Sequence, residues 1–230
     1  MRTQRISTLL TMIATATLVA CGAAAAPAAS SAATSTPALT SAPTATATAT
    51  LNPAALVNSP KAAGFVSTVL IERKRALVGG APSYIRIASG DAGADVLQTK
   101  ISDSESFTAS YRAATSRTDG SAKAAYESAD LPPLAAGTYT EGLRQVVVQP
   151  DGHSAAHKHA GFEAVLVLEG TVMVRAASTA PVTLQKGQGF SILPNTPIQL
   201  FNIGTTVART LVYSITADGL PFSTELDASP

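Results

Sequence analysis

Three residues in one short run of the chain have the side chains and the spacing of a metal site. His157 and His159 stand at positions i and i+2, and Glu163 follows on the same parity. Side chains at alternate positions of a β-strand project from one face, so an extended path places all three together. Two neutral imidazoles and one carboxylate bind divalent transition metals and leave positions open for a ligand. The run therefore predicts a site for Fe, Mn, Ni, Cu or Zn, with no catalytic residue assigned.

This run and a second segment resemble the two sequence motifs of the cupin superfamily. The first motif, G(X)5HXH(X)3,4E(X)6G, fits from His157 onward, although its leading glycine is displaced. In the second motif, G(X)5PXG(X)2H(X)3N, Pro194 anchors the match, Thr196 replaces the second glycine and Gln199 falls at the histidine. The resemblance covers about residues 140–217 and implies a single domain similar to the cupin type-2 group.

The resemblance also implies which residues surround the site. Gln199 would be the fourth metal-site residue beside His157, His159 and Glu163. Because an amide is a weaker, neutral ligand, Gln199 could coordinate weakly, hold a metal-bound water, or mark a site that has lost its metal. The shared strand parity of Gln199 and Phe201 predicts that both face one cavity. The residues expected to line a ligand pocket are Phe201, Tyr213, Phe190 and Met173.

Short apolar runs separated by turn residues predict the strands that must hold these side chains. Their spacing, about 8 to 12 residues, is typical of a sandwich or a barrel. Together with the resemblance, it predicts an all-β fold, a double-stranded β-helix or jelly-roll cupin barrel, with an N-terminal β-rich extension. In that extension, residues 65–72 and 81–88 have strand-like apolar content. The predicted barrel strands are 143–149, 163–168, 171–175, 182–185, 190–193, 198–202 and 207–216.

The N-terminal part of the chain has the composition of an export signal and a tether. Residues 1–21 combine a short basic region with an apolar stretch and end at Cys21 in a sequence that resembles a bacterial lipobox. An ordinary secretory signal with an incidental cysteine is the alternative. Residues 22–60 are almost all Ala, Ser, Thr and Pro, so we interpret them as a disordered tether. We expect an extracytoplasmic lipoprotein, anchored to a membrane through Cys21 on the cell surface or the periplasmic side.

The rest of the chain is long enough for one domain with an extension. We assign residues 136–230 to the cupin domain and residues 61–135 to extra strands, or a degenerate cupin repeat, packed on the barrel. The 16 basic and 15 acidic residues give a formal net charge of +1, and no basic patch or run stands out, so nucleic acid is not an expected partner. The expected partners are a small-molecule ligand and the membrane, and the sequence leaves a homodimer open.

Two classes of function are consistent with these features. The first is a surface-tethered binding module that captures a small molecule, together with a divalent metal. The second is a small metal-dependent enzyme of the dioxygenase or isomerase type, because the two histidines and the glutamate would leave metal positions open. The cupin fold supports many unrelated activities, so the fold does not choose between them.

Overall fold

The structure is a computed structural model that describes residues 62–90, 96–117, 124–177 and 179–226. The predicted signal segment, the tether and Cys21 lie outside the described residues. The described ranges contain no helix with the length and apolarity needed to cross a membrane. They form one 3-10 turn (Ala114–Ser116) and the strands β1 (Ala63–Leu77), β2 (Ser83–Ser89), β3 (Leu97–Ser102), β4 (Glu105–Ala113), β5 (Ala124–Glu127), β6 (Gly137–His153), β7 (His157–Lys158), β8 (Phe162–Glu169), β9 (Thr171–Ala176), β10 (Val182–Gln185), β11 (Gly189–Ile192), β12 (Ile198–Asn202), β13 (Ala208–Ala217) and β14 (Thr224–Glu225).

Strands that are distant in the chain are neighbours in the larger sheet, which winds into a nearly closed barrel. Its strand order is β10–β9–β12–β6–β13–β8–β11, while β1 pairs with β6, β7 with β12, and β14 with β7. β6 joins several parts of the sheet because it pairs along its length with β1, β13 and, at its end, β12. This arrangement of antiparallel strands confirms the predicted all-β jelly roll with an N-terminal β-rich extension.

Two apolar cores lie on opposite faces of the central strands. Val165 and Val212 point into the barrel and belong to one cluster, whereas Leu166 and Tyr213 belong to the other. The second cluster joins the outer face of the barrel to a four-stranded sheet of order β3–β4–β2–β5. β8 is therefore buried on both faces, which explains its nearly uninterrupted apolar sequence.

The first strand is longer than its apolar residues predict. The apolar pattern predicts a strand over 65–72, but β1 continues through the charged residues that follow. Arg73 and Arg75 bind the buried carboxylate of Glu141 on β6 at 2.8 and 2.9 Å, and the Tyr213 hydroxyl donates to the same carboxylate at 2.8 Å. A buried carboxylate is tolerated when it is paired and hydrogen-bonded. The charged end of β1 therefore pairs with the barrel instead of ending the strand.

Candidate functional site

The two histidines and the glutamate reach one cavity from two parts of the fold. His157 lies on β7, His159 follows that strand, and Glu163 lies on the inner face of β8. The cavity has a volume of about 350 Å³ and a largely apolar wall. Inward residues of the barrel core form much of that wall, namely Val146, Val165, Val174, Ile192, Leu200 and Val212. The three predicted residues therefore meet at the edge of an apolar chamber.

A backbone carbonyl fixes one ring nitrogen of each histidine. Nδ1 of His157 lies 2.8 Å from the carbonyl oxygen of Ala155, and Nδ1 of His159 lies 2.8 Å from that of Phe222. Because a carbonyl only accepts, Nδ1 carries the proton in each neutral ring and Nε2 carries a lone pair. The ring centroids are 4.8 Å apart and the rings are nearly perpendicular. A histidine held in this way is oriented to bind a metal through Nε2.

Glu163 faces His159 at hydrogen-bond distance. Its Oε2 atom lies 2.7 Å from Nε2 of His159, and both side chains are buried. Nε2 nevertheless makes no hydrogen bond of acceptable geometry within the described residues. Since Nδ1 of His159 already donates to Phe222, a neutral ring offers Glu163 a lone pair and no proton. Two acceptors this close require a cation, either a proton on Nε2 or a metal ion bound by both atoms.

The surroundings of the two histidines shift their pKa values in opposite directions. Burial lowers the pKa of His157 below its ordinary value, although the hydrogen bond to Ala155 and the charge of Glu163 both act to raise it. Burial also acts to lower the pKa of His159, but the negative charge of Glu163, whose carboxylate oxygen lies 2.7 Å away, and the bond to Phe222 outweigh burial and leave this pKa raised. His157 is therefore the more readily neutral of the two rings, and at His159 a proton competes with a metal.

The donor atoms fit a divalent metal in type, although they do not form an assembled site. Within the described ranges, no group of three or more His, Cys, Asp or Glu side chains is arranged to hold an ion. The unpartnered Nε2 of His159, the fixed ring of His157 and the carboxylate of Glu163 are nevertheless the donors that a transition metal binds. A metal held there would supply a Lewis acid to the cavity.

The strand register shows which residue of the second motif faces His157. His157 and Ile198 are Cα partners where β7 pairs with β12. Cross-strand partners project to the same face of a sheet, and Ile198 and Leu200 both belong to the inner apolar cluster. Ile198 is 3% exposed and lines the cavity. An aliphatic side chain therefore faces His157 from the second motif.

If Ile198 is placed at the motif's histidine, the final asparagine of the second motif falls on Asn202 without a shift. Counted with the motif's own spacing, its five defined positions fall on Gly187, Leu193, Asn195, Ile198 and Asn202. Asn195 stands at the second glycine and has a φ of 58°, the left-handed conformation that favours glycine and that asparagine tolerates. The alignment anchored on Pro194 lies one residue further along. The register therefore favours Ile198 over Gln199 at the histidine position, and the role of Gln199 as a metal-site residue stays a prediction.

Gln199 contributes to the cavity wall, but part of its amide is already engaged. Its Nε2 donates to the carbonyl of Ser154 at 3.2 Å. Its Oε1 is buried and has no partner among the residues that the structure describes. This contact fixes the orientation of the amide, because the Ser154 carbonyl requires a donor. The atom that Gln199 has left for a ligand or a water is therefore an acceptor.

The aromatic residues expected in a ligand pocket lie elsewhere in the described structure. Tyr213 is buried on the outer face of the barrel, where its hydroxyl bonds to Glu141. Phe201 packs against His153 with ring centroids 5.6 Å apart and the ring planes tilted by 38°, beneath the guanidinium of Arg175. These placements correct the expectation that both residues line the cavity. The reason is strand parity, because a slip of one residue moves a side chain to the other face of the sheet.

Met173 and Phe190, the other two residues expected in the pocket, are also outside the described lining of the cavity. Met173 is the partner of Phe201 across β9 and β12, so it shares the face that Phe201 occupies. Phe190 lies on β11 and packs against the inner apolar cluster, but it does not reach the cavity wall. The apolar lining comes instead mostly from smaller aliphatic side chains, with Phe65 and Phe222 as its aromatic members.

Two residues that reach the site from distant parts of the chain were missed by the sequence analysis. Arg144 on β6 binds Glu72, and its guanidinium carbon lies 4.1 Å from the ring centroid of Phe222. Phe222 lies after β13 and accepts the bond from Nδ1 of His159. The parity of Arg144 with the inward residue Val146 was a usable signal. No local spacing identifies Phe222.

The family comparison agrees with the motif resemblance. Residues 144–214 match the family model described as Cupin domain, which is less than half of the chain. This match supports the cupin superfamily for that part of the chain, as the resemblance predicted. No curated protein matches the chain.

Solved structures that resemble this chain include a DMSP lyase, a cupin-like protein from Thermotoga maritima and an oxalate oxidase in complex with the substrate analogue glycolate. Their sequence identities are 19%, 18% and 21%, and their TM-scores are 0.35, 0.35 and 0.33. The matches cover 38%, 40% and 37% of this chain and 44%, 77% and 46% of the other chains. This chain thus spans less than half the length of the first structure, and similarity at this level transfers no activity or ligand.

Proposed function

We propose that this protein binds a small molecule in the barrel cavity, where His157, His159 and Glu163 hold a divalent metal. The observation that carries the proposal is the bare Nε2 of His159, which lies 2.7 Å from Glu163 in a largely apolar chamber. A metal would satisfy both acceptors at once, and Nε2 of His157 would supply a further donor. Because Ile198 occupies the position of the motif's further histidine, the proposed metal ligands are two histidines and one carboxylate.

The shape and lining of the cavity indicate the kind of ligand. A chamber of about 350 Å³ with mostly aliphatic walls suits a compact molecule with an apolar body. The polar side chains of the lining include both histidines, Glu163 and Gln199, and the ligand would place its polar end against them. A metal at the histidines would fix the orientation of that polar end.

The location of the protein is part of the same proposal. The lipobox-like sequence at Cys21 and the polar segment behind it support a lipoprotein that holds its barrel outside the cytoplasm on a flexible tether. Dual acylation at one cysteine would give stable membrane anchoring, which a single acyl chain does not. The barrel would then sample small molecules near the membrane that carries it.

Metal content of the purified chain tests the proposed site. We expect the wild-type chain to retain a divalent metal after dialysis, and His157→Ala and His159→Ala to lose it. His153→Ala is the matched control, because His153 lies outside the described cavity wall and packs on Phe201. Equal metal content in all four proteins would contradict the site. A ligand screen on the loaded protein then separates binding from catalysis, because a binding module returns its ligand chemically unchanged.

A further inference from the structure

The chain after β13 turns back across the cavity and contacts the site at several points. Within residues 218–226, here termed the C-terminal strap, the Phe222 carbonyl accepts from Nδ1 of His159 at 2.8 Å. The short strand β14 pairs with β7, where Glu225 is the partner of His157. The backbone N–H of Leu226 donates to Ala156 at 2.9 Å. The strap lies beyond residues 144–214, the part of the chain that matches the Cupin domain.

The ring of Phe222 lies between two polar side chains of the cavity wall. Its centroid is 4.5 Å from that of His159, and the guanidinium carbon of Arg144 lies 4.1 Å from it. A cation that stacks on an aromatic face is attracted to the ring, so Arg144 stabilises the position of Phe222. The strap therefore contributes both a main-chain acceptor and an aromatic cover to the site.

The strap is held by fewer contacts than the strand that precedes it. Most residues of β13 are buried, whereas five of the residues from Leu220 to Glu225 are exposed, with only Phe222 half-buried. Segments with few buried contacts and exposed backbone bonds open at a small fraction of the global unfolding free energy. The element that covers the cavity is therefore also one that can open while the barrel stays folded.

We propose that Phe222 is a positioning residue for His159 and that the C-terminal strap is the lid of the cavity. The main-chain carbonyl of Phe222 keeps the proton of His159 on Nδ1 and directs Nε2 of His159 into the cavity. The ring of Phe222 slows the exchange of metal or ligand between the cavity and solvent. The exchange of metal or ligand rests on the proposed function. The control of the His159 tautomer does not, because it depends only on a contact within the chain.

Two variants separate the carbonyl from the ring. A chain that ends after Gly219 loses both, whereas Phe222→Ala keeps the backbone carbonyl and loses the ring. Leu220→Ala is the matched control, because Leu220 lies in the same strap, is 53% exposed and is outside the described cavity wall. The chain has three histidines, so nitrogen NMR of the rings at a pH where they are neutral can report each tautomer.

We expect the shortened chain to lose the Nδ1–H preference at His159 and to keep it at His157, which is held by Ala155. Phe222→Ala should keep both tautomers but release Co²⁺ to a chelator about 10-fold faster or more, the scale of outer-shell effects on metal sites. Phe222→Leu should restore much of the slow release, and Leu220→Ala should match the wild type.

An unchanged His159 tautomer in the shortened chain would overturn the positioning role. Equal release rates from Phe222→Ala and Leu220→Ala would overturn the lid. If the shortened chain does not fold, the comparison of Phe222→Ala, Phe222→Leu and Leu220→Ala still decides whether the ring is a lid. If the wild-type chain binds no Co²⁺, the proposed function fails, while the tautomer comparison still tests the positioning role.

Discussion

Ile198→His is the substitution that best tests the register of the site. Ile198 is the Cα partner of His157, is 3% exposed and lies on the inner face of the barrel. An imidazole at this position would project toward His157, His159 and Glu163 and complete a four-ligand set. We therefore expect Ile198→His to bind Zn²⁺ more tightly than the wild type.

The magnitude follows from the binding energy of complete sites. Structural zinc sites with four ligands contribute about 10–16 kcal/mol, or about 2.5–4 kcal/mol for each ligand. At 1.4 kcal/mol for each tenfold change, a fourth ligand should raise affinity on the order of 100-fold. Loss of a buried isoleucine should lower the stability of the metal-free protein by about 1.5–3 kcal/mol. The metal-free variant should therefore melt earlier than the wild type and recover when Zn²⁺ is added.

Chelator competition for Zn²⁺ measures the affinities of Ile198→His, Gln199→His and the wild type. Both variants add one imidazole, but at positions of opposite parity on β12. The amide of Gln199 is bound to Ser154, and its backbone position is the partner of Arg175, whose guanidinium stacks on Phe201 outside the cavity. We expect only a small change for Gln199→His. A larger increase for Gln199→His than for Ile198→His would refute the register and restore the alignment anchored on Pro194.

Three further changes test other parts of the structure. Tyr213→Phe should lower the free energy of unfolding in urea by about 1.5–3 kcal/mol, because buried Glu141 loses a hydrogen bond. The same variant should keep the Zn²⁺ affinity of the wild type, and a large change in that affinity would show that Tyr213 belongs to the metal site. Gly161→Ala should lower both stability and Zn²⁺ affinity, because a Cβ there would collide with the carbonyl of Ile215, and overpacking costs about 1–3 kcal/mol. A Gly161→Ala protein with the melting temperature and Zn²⁺ affinity of the wild type would contradict the close approach of Gly161 to β13. Cys21→Ala should move the protein from the membrane to the soluble fraction, and an unchanged membrane fraction would contradict the lipid anchor.

Periodicity and turn residues predict much of the barrel. The expected strands over 171–175 and 182–185 differ from β9 and β10 by at most one residue at an end. The inward face of Glu163 also follows from its spacing, because strand parity is a local property of the chain. Where apolar alternation is regular, the sequence alone therefore identifies both the strand and its inner face.

The second motif shows where this reasoning fails. Pro194 can be matched to the motif's proline from the sequence alone, whereas the left-handed backbone that marks Asn195 as the glycine position is seen only in the structure. Anchoring on the proline places the motif one residue further along than the strand register does, and the strand parity taken from that alignment led to the expectation that Phe201 faces the cavity. Arg144 and Phe222 could not be found by spacing, because they meet the histidines only when β6 and the C-terminal strap are in place.

The position of a metal in crystals of the protein grown with Zn²⁺ tests the proposed metal site most directly. Anomalous diffraction at the zinc edge locates the ion without assumptions about its ligands. We predict one peak in the barrel cavity, about 2.0–2.2 Å from Nε2 of His157, from Nε2 of His159 and from a carboxylate oxygen of Glu163. A cavity without a peak, or a peak bound only at His153, would contradict the proposed site.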